Sequence, residues 1–304
     1  MEPFIAAHNM VLAHLHAVET YRKHYQSEQG GKIGIAVHAI MYEPLRDVED
    51  DRQAARRKLA FNNAWFLDPL VFGDYPREMR SVLGSRLPRF TQRESQRLLK
   101  AGLDFVGVNH YTTLYAKDCM HSSPCESGGS AIEGFVYVSG ESDGIPIGEQ
   151  TACSTFYVVP DGMERLISYL KRRYNNTPMF LAENGYAQLD QPNESVEILL
   201  NDYKRMEYHR KYLAALANAM RDGADVRGYF VWSLLDNFEW LYGYTRRFGL
   251  YHVDYTTLKR TPKLSAKWYR DFLANSASLI WPGGERGLSY MYSTEPDHKP
   301  VAEM

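Results

Sequence analysis

The chain has 304 residues, 44% of them hydrophobic and 13% aromatic, enough for one large domain or two small ones and incompatible with a wholly disordered protein. Lysine and arginine total 35 against 37 acidic residues, so a formal charge of −2 gives no electrostatic reason to expect nucleic acid or an anionic membrane as partner. No apolar run approaches the roughly 18 residues of a membrane-spanning helix, and Met1-Glu2-Pro3 is not the basic opening of a signal peptide.

In chain order, Phe4 to Tyr25 spaces Ile5, Val11, Leu12, Leu15 and Val18 for one helical face, and Gly30-Gly31 ends it. Lys32 to Tyr42 is dense in Ile33, Ile35, Val37 and Ile40 and predicts a strand buried on both faces, followed by a helical stretch from about Val48 to Trp65. Further strands are predicted at Leu103–Asn109, Pro178–Ala182 and Val226–Trp232, with a helix over Asp202–Arg221. Repeated strand-then-helix units imply parallel pairing.

The segment from Met120 to Gly148 is rich in Ser and Gly, and the tail after Ser289 is polar; both are expected to be mobile or ligand-facing. Cys119 and Cys125 bracket a short polar stretch in which a local disulfide is feasible. Asn175-Asn176-Thr177 and Asn193-Glu194-Ser195 fit the N-glycosylation pattern, relevant only in a secretory route.

The predicted strands end in Asn109-His110-Tyr111, Glu183-Asn184 and Trp232-Ser233, the location at which a (β/α) barrel carries its active site. Four strands cannot close such a barrel, which takes about eight. Glu183 follows an apolar strand, where partial desolvation can tune a carboxylate, although Asn184-Gly185 would equally suit a capped turn without chemistry. Trp232 to Trp240 sets two indoles and two carboxylates, Asp236 and Glu239, within one short segment, a composition that grips sugar by stacking and hydrogen bonding. No His, Asp and Cys cluster shows metal-ligand spacing, so neither a metal nor another cofactor is expected.

Glu183-Asn184-Gly185, the Trp232–Trp240 segment, Asn109-His110-Tyr111-Thr112, Arg247-Phe248-Gly249-Leu250 and the run from Phe66 to Pro76 resemble, in order, the signature segments of family-1 β-glucosidases of the plant type. The resemblance implies a (β/α)8 TIM barrel of which this chain, residues 1–304 read as a single partial catalytic domain, carries only the C-terminal half, about strands 5 to 8. It implies a retaining β-glucosidase in which Glu183 attacks the anomeric carbon and forms a glycosyl ester, with a small β-glucoside as substrate. Tyr111 would orient that nucleophile, Asn109 supply a polar contact, Trp232 stack against the sugar, Glu239 and Trp240 hold its hydroxyls, and Phe248 complete the wall. His110 is expected to be structural, because a histidine beside a strand end is more often packed than catalytic.

Retention needs a second carboxyl about 5 Å from the nucleophile to protonate the leaving oxygen and later deprotonate water. The family carries it in a Thr-Phe-Asn-Glu-Pro segment that this sequence does not contain, and Glu2-Pro3 does not replace it, because the following Phe4-Ile5-Ala6-Ala7-His8-Asn9 resembles the family's next helix. The expectation is that the first four strands, further sugar ligands and any signal peptide preceded Met1, full-length relatives being secreted, vacuolar or extracellular. The alternative reading is an inactive fragment or a sugar-binding protein without turnover. Thr155 stands where the family often has a tryptophan facing the aglycone, so aglycone preference is open.

Overall fold

A computed structural model describes residues 2–121, 125, 129–191 and 195–275. Its centre is a four-stranded parallel sheet of β1 (Ile35–His38), β2 (Val106–Asn109), β3 (Met179–Asn184) and β4 (Val226–Val231), paired in chain order. Each successive pair is connected through helices, as parallel pairing requires.

The first helix, Glu2–His24, buries Phe4, Ala7, Val11, Leu15 and Val18. Its stripe differs from the sequence reading at the start, where Ile5 is exposed and Phe4 and Ala7 face the core, because their spacing continues the row set by Val11 and Leu15. Helix Glu49–Leu59 opens on Glu49-Asp50-Asp51 and closes on Arg56-Arg57-Lys58, charges that complement the helix dipole. It runs on through a π-turn at Ala60–Ala64 into helix Trp65–Phe72.

The predicted strand Lys32–Tyr42 is two strands. After Ala39 donates its last ladder bond to the Asn109 carbonyl, the chain leaves the sheet, and Met41–Pro44 pairs instead with Thr113–Asp118 in an outer ribbon. Nor is β1 buried on both faces: Val37 is buried while Ala36 and His38 are exposed. Within the Ser- and Gly-rich stretch after Met120, Val136–Ser139 is a strand that pairs antiparallel with Thr113–Asp118. The β-branched and aromatic run Val136-Tyr137-Val138 favours that strand. Cys119 and Cys125 form a disulfide beside it. The polar tail after Ser289 and the sequon at Asn193 lie outside the described residues.

One face of the sheet is covered. Val37, Val106, Val108, Met179, Leu181 and Val226 pack against Met163, Leu166, Ile167 and Leu170 of helix Pro160–Arg173 and against Tyr208, Tyr212 and Leu216 of helix Tyr203–Arg221. Burying such side chains stabilises by about 1.5–3 kcal/mol each. The other face carries Ala36, His38, Gly107, Asn109, Phe180 and Phe230, and Phe230 is 57% exposed. The described residues form no closed barrel.

Candidate active site

Side chains alternate along a strand, so Met179, Leu181 and Glu183 would all point into the helix-covered core if β3 were regular. It is not. Leu181 is opposite Val108 and Glu183 is opposite Asn109, leaving Ala182 as an extra residue. The bulge turns Glu183 onto the open face, the side Asn109 and Gly107 occupy.

There the Tyr111 hydroxyl donates to Glu183 Oε2 at 2.6 Å. Burial, then the hydrogen bond to Glu183 and its charge, push the Tyr111 phenol well above its usual range, so the hydroxyl stays a donor. Phe156 stacks on Tyr111 with ring centres 5.0 Å apart, and Phe248 meets it edge-on at 6.0 Å. Buried Cys153 and Ala187 complete this apolar wall, and burial raises the free Cys153 thiol to about 11.

Glu239 is buried, and its Oε1 accepts from the Trp232 indole nitrogen at 3.1 Å. Burial raises its pKa, the indole bond opposes that shift, and the nearby Glu183 charge adds to it. Phe248 and Trp232 are placed by the chain crossing at the end of β4, where Ser233 N donates to the Phe248 carbonyl at 3.1 Å and Leu250 N to the Ser233 carbonyl at 2.8 Å. Gly185 is required at this crossing, because a Cβ there would lie 2.1 Å from the Trp232 carbonyl oxygen. The structure thus brings Glu183, Asn109, Tyr111, Trp232, Glu239 and Phe248 to one end of the sheet. Trp240 does not join them: it is 83% exposed on the loop beyond Glu239, beside fully exposed Leu241. Asn109 Oδ1 is buried without a hydrogen-bond partner among the described residues.

The loop carrying Trp232 to Phe248 is held by a buried ion network that the sequence reading missed. Asp236 Oδ1 accepts from Lys263 Nζ at 2.8 Å and Gly249 N at 2.9 Å, while Oδ2 accepts from Arg247 Nη1 at 2.8 Å. Lys263 and Asp236 are both buried. Adjacent to it, Arg205 donates to the carbonyls of Tyr186 and Arg247, at 3.3 and 2.7 Å. No spacing rule points to these residues, since Asp236, Arg247 and Lys263 lie in separate loop and strand segments and only Arg205 is helical.

His110 is wholly buried, and its Nδ1 lies 2.8 Å from the Ala39 carbonyl. Burial lowers it to about 4, so it is neutral and its Nδ1–H donates. Asn175 is exposed at a helix end, with Thr177 donating to the Tyr174 carbonyl at 2.7 Å. Among the described residues no group of three or more His, Cys, Asp or Glu is arranged to hold a metal, and no helix is long and apolar enough to cross a membrane.

A bulge-directed carboxylate under a tyrosine hydroxyl, at the C-terminal ends of parallel strands and beside an indole-bound second carboxylate, is the kind of site a glycoside-cleaving barrel presents. The chain belongs to glycosyl hydrolase family 1, whose model matches residues 1–277. It is 54% identical over 276 residues to "Probable inactive beta-glucosidase 14" of Oryza sativa subsp. japonica, covering 91% of this chain and 53% of that protein. It is 49% identical over 273 residues to the coniferin beta-glucosidase of Pinus contorta, covering 90% and 53%. The chain spans about half the length of the curated relatives it matches. Among solved structures, a mutant of rice Os3BGlu6 beta-glucosidase in a covalent complex with Glc superposes with a TM-score of 0.83 at 42% identity, over 89% of this chain and 57% of that one.

Proposed function

We propose that this chain carries the nucleophile half of a retaining β-glucosidase site, with β1 to β4 as the fifth to eighth strands of a (β/α)8 barrel. The observation that carries this reading is the bulge at Ala182, which sets Glu183 on the open face within 2.6 Å of the Tyr111 hydroxyl. A Glu183 oxygen attacks the anomeric carbon of a β-glucoside, and the bond to the aglycone oxygen breaks with its electron pair leaving on that oxygen. Water then displaces Glu183 from the sugar. The Tyr111 hydroxyl holds one carboxylate oxygen so that the other faces the substrate. Trp232 supplies an aromatic surface to the sugar, Glu239, fixed by the Trp232 indole, accepts from sugar hydroxyls, and Asn109 contributes a buried acceptor. Phe248 closes the wall, and Trp240 stands at the rim where a bound glucoside would draw it in.

Glu239 is committed to the indole and suits holding hydroxyls rather than protonating the aglycone, and the Thr-Phe-Asn-Glu-Pro segment in which the family carries that acid is not in this sequence. Removing such assistance lowers rates by about 10²- to 10⁴-fold. A leaving group that needs no proton bypasses the requirement. The test is incubation of the purified chain with a fluorinated β-glucoside bearing a dinitrophenolate leaving group, which reports ester formation and slows its hydrolysis. Mass spectrometry is expected to find the sugar on Glu183 and none on Glu183→Gln. Folded protein that binds glucoside and gains no adduct would establish the alternative, a sugar-binding protein without chemistry. The name of the rice relative at 54% identity makes that outcome worth discriminating.

A further inference from the structure

Helix Tyr203–Arg221 buries Arg205, Tyr208, His209 and Tyr212 on one face, with relative exposures of 0%, 1%, 0% and 0%. Their spacing is that of a helical stripe, where a helix covering a sheet normally places apolar side chains. Polar groups persist in such a place when they are partnered. For Tyr208, and for His209 through Tyr229, the partners are Asn184 and the Tyr111 backbone beside Glu183.

The bonding directions can be deduced from two carbonyls, which only accept. Asn184 Nδ2 lies 2.7 Å from the His110 carbonyl oxygen, so that end of the amide is the nitrogen. Its other proton goes to the Tyr208 oxygen at 2.9 Å, and the Tyr208 proton goes to the Tyr111 carbonyl at 3.2 Å. Asn184 Oδ1 therefore accepts the Tyr229 proton at 2.7 Å. With its single proton used, the Tyr229 oxygen accepts from His209 Nδ1 at 2.8 Å, which fixes the imidazole tautomer. Burial lowers His209 to about 3, and its Nε2 has no hydrogen-bond partner among the described residues, so the neutral form and the direction hold across ordinary pH.

We propose that Tyr208, Tyr229 and His209 are positioning residues for Glu183, holding it through a one-way hydrogen-bond relay that runs through Asn184 and ends on the backbone carbonyls of His110 and Tyr111. The relay stands where the sheet itself is weakest. The bulge interrupts the ladder between Leu181 and Asn184, and the Asn184 side chain bridges the interruption by bonding across to the His110 carbonyl just past the end of β2. Tyr208 then ties Asn184, the neighbour of the nucleophile, to Tyr111, the residue whose hydroxyl the nucleophile accepts. Both ends of the Tyr111–Glu183 contact thus lead to one hydroxyl.

This inference rests on Glu183 as nucleophile, and its test is built to fail separately. Trapping by the fluorinated dinitrophenyl glucoside is followed for the parent chain, Tyr229→Phe, His209→Leu and His209→Asn, each checked as folded by circular dichroism. Tyr229→Phe and His209→Leu are expected to lower the maximal trapping rate by about 10- to 100-fold with little change in the half-saturating concentration. His209→Asn, which keeps a donor near the Nδ1 position, is expected to recover to within about 3-fold of the parent. Parent-like rates in Tyr229→Phe and His209→Leu overturn the relay. A parent chain that is never trapped defeats the functional reading instead, and the relay is then decided by NMR: both Asn184 side-chain amide protons should exchange slowly with solvent in the parent and rapidly in Tyr229→Phe. Equal exchange in the two would overturn it.

Discussion

Two wholly buried histidines should make the chain acid-sensitive well above the range in which carboxylates titrate. His110 is lowered to about 4 and His209 to about 3, against an ordinary value of 6.5. A folded-state pKa below the unfolded one means that the unfolded chain binds the extra proton, so the stability contribution is complete above pH 6.5 and is lost as pH falls towards the folded values. Between pH 6.5 and 5 the two together remove about 3 kcal/mol, which is a large part of a domain's net stability. Burial lowers His14 and His252 as well, adding the same sign, whereas the raised pKa of Glu239 acts oppositely. The measurement is therefore a difference: urea unfolding followed by tryptophan fluorescence at pH 6.5 and pH 5, for the parent and for His110→Asn with His209→Asn. Asparagine keeps a donor near each Nδ1 and does not titrate. The double variant should retain about 3 kcal/mol more of its pH 6.5 stability at pH 5 than the parent does. An identical pH dependence in the two proteins would refute the reasoning.

Other outcomes follow from packing and charge. Asp236→Asn leaves Lys263 and Arg247 buried without their shared carboxylate and should destabilise by about 3–5 kcal/mol in urea unfolding. Leu181→Ala, in the layer between sheet and helices, should reduce stability by about 2–5 kcal/mol while leaving trapping of Glu183 measurable in the folded fraction. Gly185→Ala would drive a Cβ against the Trp232 carbonyl, lowering stability by about 1–3 kcal/mol and slowing trapping more than Leu181→Ala does.

Much of the architecture was legible because period and composition are local. The strand segments ending at Asn109, Ala182 and Trp232 were placed within a few residues of β2, β3 and β4, and Glu183, Tyr111, Trp232, Glu239 and Phe248 were named from the segments that the structure brings together. Three features were not legible. The break of Lys32–Tyr42 into two strands depends on which neighbour each half pairs with, and no local pattern distinguishes Asn109 from Thr113 as partner. The turn of Glu183 onto the open face depends on the bulge, a property of the ladder between strands rather than of either one. The burial of Tyr208, His209 and Arg205 within the helix predicted over Asp202–Arg221 was not legible either, because it follows only from the chain packed beneath them.

The bulge at Ala182 makes the chemistry of this chain a matter of parity. Between Leu181 and Asn184 it is whether Ala182 joins the ladder or stands out as a bulge that decides on which side of the sheet the carboxylate emerges. Removing Ala182 would place Glu183 directly after Leu181, where plain alternation keeps the carboxylate on the open face opposite Asn109, whereas flattening the bulge with Ala182 retained would swing it into the apolar layer of Met163 and Leu166. Substitutions along this strand can therefore be graded, while the bulge itself is either formed or flat, with nothing between.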